Sequence, residues 1–217
     1  MSLHYSASRF LLGGFVAALS GWEVRGRENV PSSGGLIVAS NHCSYWDPVL
    51  VGVASVRELH YLAKEELFRP PVFGSLIRAF NSIPIRRGAV DMRGLHQAME
   101  VLRAGHALIM FPEGTRSRDG ELHEARPGIG MLAVATGARI VPVYVEHSNR
   151  PRKWMLRQVK LRVSIGPVRT WQELAGPEAG LEPGRALYQS VGNGVMREIT
   201  ALKAGQPNSA ARATATP

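Results

Sequence analysis

Short apolar runs alternate along this chain with stretches whose apolar residues recur at helical spacing. GLIVAS (35–40) is a continuous run, the pattern of a strand buried on both faces. ELHYLA (58–63), SIPI (82–85), HALIMF (106–111) and RIVPVYV (139–145) predict further strands, and Pro112 ends the run at 106–111. KLRVSIG (160–166) alternates, with Leu161, Val163 and Ile165 on its inward side. Helices are predicted from Asp47-Pro48 onward, over 72–80, from Asp91 through Leu95, Met99 and Leu102 to a stop at Gly105, and over 129–137. At the first of these, Asp suits the N-cap and Pro the opening turn. A last helix lines up Leu187, Val191, Val195, Ile199 and Leu202, with Gly192 and Gly194 each costing it about 1 kcal/mol. Strands separated by helices predict an α/β fold: one domain, with a mixed, mostly parallel sheet flanked by helices. In such folds chemistry gathers just past the carboxyl ends of the strands.

The N-terminus departs from this pattern. FLLGGFVAAL (10–19) is apolar, with Arg9 before it and Trp22, Arg25 and Arg27 after it. A spanning helix needs about twenty apolar residues, so the run is too short to cross a bilayer unaided. It fits a helix lying in the membrane interface with Trp22 at headgroup level. A signal-peptide core and an ordinary buried helix fit the same residues. The expected division is an interfacial helix over 1–21, the α/β domain over 22–203 and a disordered small-residue tail over 204–217.

Charge narrows the partners. The formal net charge is +9, which draws the protein toward polyanions: an anionic membrane face, a phosphorylated substrate or nucleic acid. RPRKWMLRQVKLR (150–162) interleaves basic residues with Trp154, Met155 and Leu156, as a membrane-facing stretch would, or as a solvated basic sheet edge would. The single cysteine, Cys43, excludes an internal disulfide and a cysteine zinc cluster. No histidine pair has zinc-site spacing, so no metal site is expected. GIGMLA (128–133) matches a dinucleotide fingerprint, but a loop rather than a strand precedes it.

Two polar segments follow predicted strands, where the fold collects chemistry. In NHCSYWDP, His42 directly follows a strand and Asp47 lies five residues on. A turn can fold that carboxylate back onto one ring nitrogen, fixing the tautomer and leaving the other nitrogen to accept a proton. The same spacing also suits an Asp47 that only caps a helix. Cys43 adjoins His42, but neighbouring side chains in an extended segment point opposite ways, and no G-x-S-x-G elbow exists. A base without a protein nucleophile points to attack by a substrate hydroxyl. In FPEGTRS, Glu113, Gly114, Thr115 and Arg116 share one turn; the glycine permits unusual torsions and the guanidinium suits a phosphate. Arg86 and Arg87 in IPIRRG and Lys64 in KEELF are further cations after strand ends.

NHCSYWDP and FPEGTRS together resemble the glycerophospholipid acyltransferase family, in particular its lysophosphatidic acid acyltransferases. The family's hallmark is Asn-His, four residues and Asp, then a distant Glu-Gly-Thr-Arg. IPIRRG resembles its intermediate arginine motif, with Arg87 the better match, and IVPV (140–143) its later proline motif. The resemblance spans roughly residues 22–168. It implies that His42 and Asp47 form the catalytic pair. It also implies that Lys64, Arg87, Glu113, Gly114, Thr115 and Arg116 hold the acceptor. The implied reaction moves an acyl chain from acyl-CoA or acyl carrier protein to a 1-acyl-glycerol-3-phosphate, giving phosphatidic acid. It needs no cofactor. The implied setting is the cytoplasmic face of the membrane, held peripherally on an anionic surface, with no nucleic-acid partner. Another lysolipid acceptor, or a non-catalytic module binding anionic membranes, is the alternative.

Overall fold

In the computed structural model, which describes residues 3–86 and 91–205, the strands come together in one sheet. These are β1 (Glu23–Arg25), β2 (Leu36–Ser40), β3 (Leu59–Lys64), β4 (Ser82–Ile85), β5 (Ala107–Met110), β6 (Arg139–Glu146) and β7 (Arg162–Ile165). Their order across the seven-stranded sheet is β1-β7-β6-β2-β5-β3-β4. From β6 to β4 every neighbouring pair is parallel; β7 runs antiparallel to β6 and carries β1 parallel to itself. The sheet is therefore mixed and mostly parallel, as the strand–helix alternation predicts.

All five residues of β2 are buried because helices cover both faces. Ile37 and Ala39 face a core built with α4 (Met92–Arg103), α5 (Gly128–Thr136), α7 (Trp171–Ala175) and α8 (Arg185–Lys203). Leu36 and Val38 face the other core, with Val16 of α1 (Leu3–Ser20), Leu50 and Val51 of α2 (Asp47–Ala54) and Trp154 of α6 (Pro151–Met155). Trp154 is thus a core residue, and Leu156 is the exposed apolar residue of its basic stretch. The helix over 72–80 is α3 (Pro71–Ala79). No strand leads into Gly128; the segment before α5 is a loop.

The glycines of α8 are contact points rather than simple weaknesses. A Cβ on Gly194 would lie 2.2 Å from the Leu174 carbonyl oxygen, and one on Gly130 of α5 would lie 2.1 Å from that of Tyr188. Backbone meets backbone at both crossings, so no side chain can yield. Gly194→Ala is expected to destabilise the fold by about 2 kcal/mol, the scale of an overpacked core, despite alanine's better helix propensity. Thermal melting would check it, with a fall of roughly 4–8 °C for a chain of this size.

Two helices leave apolar side chains uncovered. On α1, Leu3, Phe10 (80 % exposed), Leu11 (70 %) and Phe15 point outward. Its arginine, Arg9, turns inward to donate to the Ser55 carbonyl at 3.0 Å, so the outward face carries no charged side chain. On α3, Val72 (84 %), Phe73 and Leu76 are exposed. The two helices meet end to end: His4 Nε2 donates to the Ala79 carbonyl at 3.0 Å, and the Tyr5 and Phe80 rings lie 6.0 Å apart. At the far end of α1, Arg157 donates to the carbonyls of Ala18 (2.7 Å) and Leu19 (3.4 Å), a cation where the helix dipole is negative. Among the described residues, no helix is long and apolar enough to cross a membrane.

Candidate active site

Strands β2 and β5 are parallel neighbours with Ala39 opposite Met110, so the segments that follow them leave side by side. After β2, the Asn41 side chain stays in the sheet: its Oδ1 accepts from Val145 N–H at 2.7 Å and its Nδ2 donates to the Val145 carbonyl at 3.1 Å. That clamp fixes the next residue, His42, at the strand end. Its imidazole stacks on Phe111, centroids 4.0 Å apart and 18° between planes.

Asp47 is fully buried (0 % exposed), and its Oδ2 lies 2.9 Å from His42 Nδ1. The same oxygen accepts from the backbone N–H groups of Cys43 and Ser44, each at 2.7 Å. A carboxylate oxygen that only accepts requires the proton on Nδ1, which leaves Nε2 as the basic nitrogen. Asp47 is therefore not the helix cap expected from Asp-Pro. Trp46 occupies the N-cap position, and Asp47 turns its carboxylate back along the preceding turn.

The second segment is tied to the same histidine. Glu113 is buried, and its Oε1 accepts the His42 backbone N–H at 3.2 Å. Ser117 N–H donates to the His42 carbonyl at 2.7 Å. Between them the chain makes a tight turn, with Gly114 N–H on the Phe111 carbonyl at 3.0 Å and Gly114 at φ 72°, a torsion that suits glycine. Burial pushes the Glu113 carboxyl above its ordinary range, opposed by the His42 amide it accepts; the Asp47 charge adds a smaller upward push. Thr115 is exposed, and the Arg116 guanidinium lies 3.5 Å above the ring of Tyr45, itself 78 % exposed. Arginine, tyrosine and imidazole thus belong to two segments locked together through His42.

Burial, and then the nearby Asp47 charge, push the Cys43 thiol up to about 11. Its Sγ lies 3.3 Å from Ser148 Oγ. The thiol keeps its proton near neutral pH and is no nucleophile. Lys64 ends β3 on the same sheet edge and pairs with Glu66 at 3.1 Å. Arg86, just past β4, pairs with Glu65 at 2.7 Å. Arg87 lies outside the described residues. The sequence did not single out Phe111 or Tyr45, and it placed Asn41 in the Asn-His hallmark but with no role as a clamp. Only the position of Tyr45 inside the polar segment, and of Phe111 at the end of an apolar run, hinted at them.

An α/β domain with a buried imidazole–carboxylate pair beside a Glu-Gly-Thr-Arg turn fits the acyltransferases. Residues 21–146, more than half of the chain, match the family described as Acyltransferase, and the chain belongs to that family. It is 30 % identical over 128 residues to a 1-acyl-sn-glycerol-3-phosphate acyltransferase of Borreliella burgdorferi, covering 58 % of this chain and 51 % of that one. It is 32 % identical over 146 residues to a lyso-ornithine lipid O-acyltransferase of Pseudomonas aeruginosa, covering 67 % and 55 %. The matches thus span about half the length of each of these two relatives. The crystal structure of the 1-acyl-sn-glycerophosphate acyltransferase PlsC from Thermotoga maritima superposes with a TM-score of 0.65 at 26 % identity, covering 94 % of this chain and 85 % of that one.

Proposed function

We propose that the chain transfers a fatty acyl group from acyl-CoA or acyl carrier protein to the free hydroxyl of a 1-acyl-glycerol-3-phosphate, giving phosphatidic acid. The observation that carries this reading is the 2.9 Å contact between His42 Nδ1 and a fully buried Asp47 carboxylate. A module that only binds membranes has no use for such a pair.

In this mechanism His42 Nε2 takes the proton of the lysolipid hydroxyl as its oxygen attacks the thioester carbonyl. Asp47 stabilises the imidazolium that forms. The tetrahedral intermediate expels the thiolate, which recovers the proton from His42. Arg116, with Lys64, Arg87, Gly114 and Thr115, meets the acceptor's phosphate; the arginine fork suits two of its oxygens. We assign Glu113 to positioning, because its Oε1 holds the His42 amide.

The exposed apolar side chains of α1 and α3 support a peripheral membrane attachment, with α1 lying in the interface. Both substrates carry acyl chains, so a site held at a bilayer surface receives them without drawing the chains through water.

The lyso-ornithine lipid relative motivates a second acceptor, one without phosphate. The cations near the strand ends favour the phosphate. Purified protein given one acyl-CoA is expected to release thiol rapidly with lysophosphatidic acid, and far more slowly with lyso-ornithine lipid or with no acceptor. Equal release without a lysolipid would make the protein a thioesterase. Preference for lyso-ornithine lipid would refute the phosphate assignment.

A further inference from the structure

Beyond the catalytic pair, a cavity of about 540 Å³ opens between the end of β3, α3 and β4, lined by Glu65, Phe68, Arg69, Arg78, Pro84 and Arg86. Its lining carries three arginines against one glutamate. Arg86 is held by Glu65 at 2.7 Å, and the Arg78 guanidinium sits 5.1 Å over the Phe68 ring. Glu66, which pairs with Lys64, also acts on Arg69, and Asp91 acts on Arg86, so four cations face three carboxylates around the pocket. Arg69 precedes α3 and Arg78 lies in its last turn, and between them in sequence come the exposed Val72, Phe73 and Leu76.

We infer that this cavity seats the phosphate of an anionic phospholipid in the bilayer, a non-reacting lipid distinct from the acceptor. The guanidiniums match the phosphodiester, whose oxygens accept in the arginine fork. The neighbouring apolar side chains match the acyl region just below a headgroup. Charge and exposed apolar side chains thus occur together on α3 and the segment before it. A nucleotide would want an open aromatic face for its base, and the one ring in this lining, Phe68, is buried and covered by Arg78. The site would hold the α3 side of the domain to the leaflet while α1 lies in the interface. This inference rests on the membrane attachment proposed above.

Sedimentation with phosphatidylcholine vesicles, with and without added phosphatidylglycerol, tests it. Wild-type protein is expected to prefer the anionic vesicles. Arg69→Gln should weaken that partitioning about fivefold, and Arg69→Gln with Arg78→Gln about 25-fold. Both should leave binding to neutral vesicles, and turnover in neutral detergent micelles, unchanged. The control pair Arg103→Gln and Arg185→Gln, on α4 and α8 over the opposite sheet face, should change the preference little. An equal loss in the control pair would mean diffuse charge and overturn the site. So would a raised KM for lysophosphatidic acid or acyl-CoA in neutral micelles, which would assign the arginines to a substrate. Wild-type protein that sediments with neither vesicle would refute the membrane attachment itself. Wild-type preference that survives in the double variant would refute only this pocket.

Discussion

His42→Ala is expected to lower turnover by roughly 10⁴-fold, at the upper end of what a positioned general base supplies. An imidazole held by a carboxylate is the usual side chain for taking a proton near neutral pH. Burial pushes the neighbouring thiol up to about 11, and Glu113 gives one oxygen, Oε1, to the His42 backbone amide. The fold should survive. Asp47 would keep its two backbone donors from Cys43 and Ser44, and the Glu113 and Ser117 bonds to residue 42 are made by its main chain. Steady-state thiol release with lysophosphatidic acid, read beside a melting curve, measures both halves. A variant that melts like wild type and still turns over within tenfold of it would remove His42 from the chemistry.

Both segments stood out in the sequence because each gathers polar residue types directly after a strand, and the family resemblance rests on both. Their mutual locking did not. The bonds from Glu113 and Ser117 to His42 join residues 71 or more positions apart, and no periodicity records such pairs. The long strands were legible for the opposite reason, since a run of apolar residues is local. β1 escaped because it is only three residues long and owes its pairing to β7, far along the chain. α7 escaped likewise: five residues are too few to show a helical period, although Thr170 and Glu173 form a capping box at its start. Trp154 was misleading because its basic neighbours suggested a surface, whereas its ring packs edge-on to Trp46 at 5.8 Å from a distant segment. Asp-Pro at a helix start invites the reading of a cap, and the imidazole five residues back was the competing partner that won.

Asp47→Asn is expected to cost about three powers of ten in turnover, and the geometry says why the loss would be electrostatic. One oxygen, Oδ2, accepts all three hydrogen bonds, while the buried Oδ1 has no partner among the described residues. An asparagine can therefore present its carbonyl oxygen to His42, Cys43 and Ser44 and place its amino group where Oδ1 stood. Tautomer and turn survive; the negative charge does not. A unit charge about 4 Å from the imidazolium is worth about 4 kcal/mol at an effective dielectric constant near 20, which converts to roughly 10³ in rate. The charge matters only once His42 is protonated, so the loss should fall on kcat, with KM for both substrates and the melting temperature little changed. The double variant His42→Ala with Asp47→Asn should be no slower than His42→Ala alone, because a carboxylate that works through the imidazole has nothing left to stabilise once the ring is gone. A further loss in the double variant, or a single-variant defect confined to KM, would show that Asp47 serves the reaction by some route other than the imidazolium.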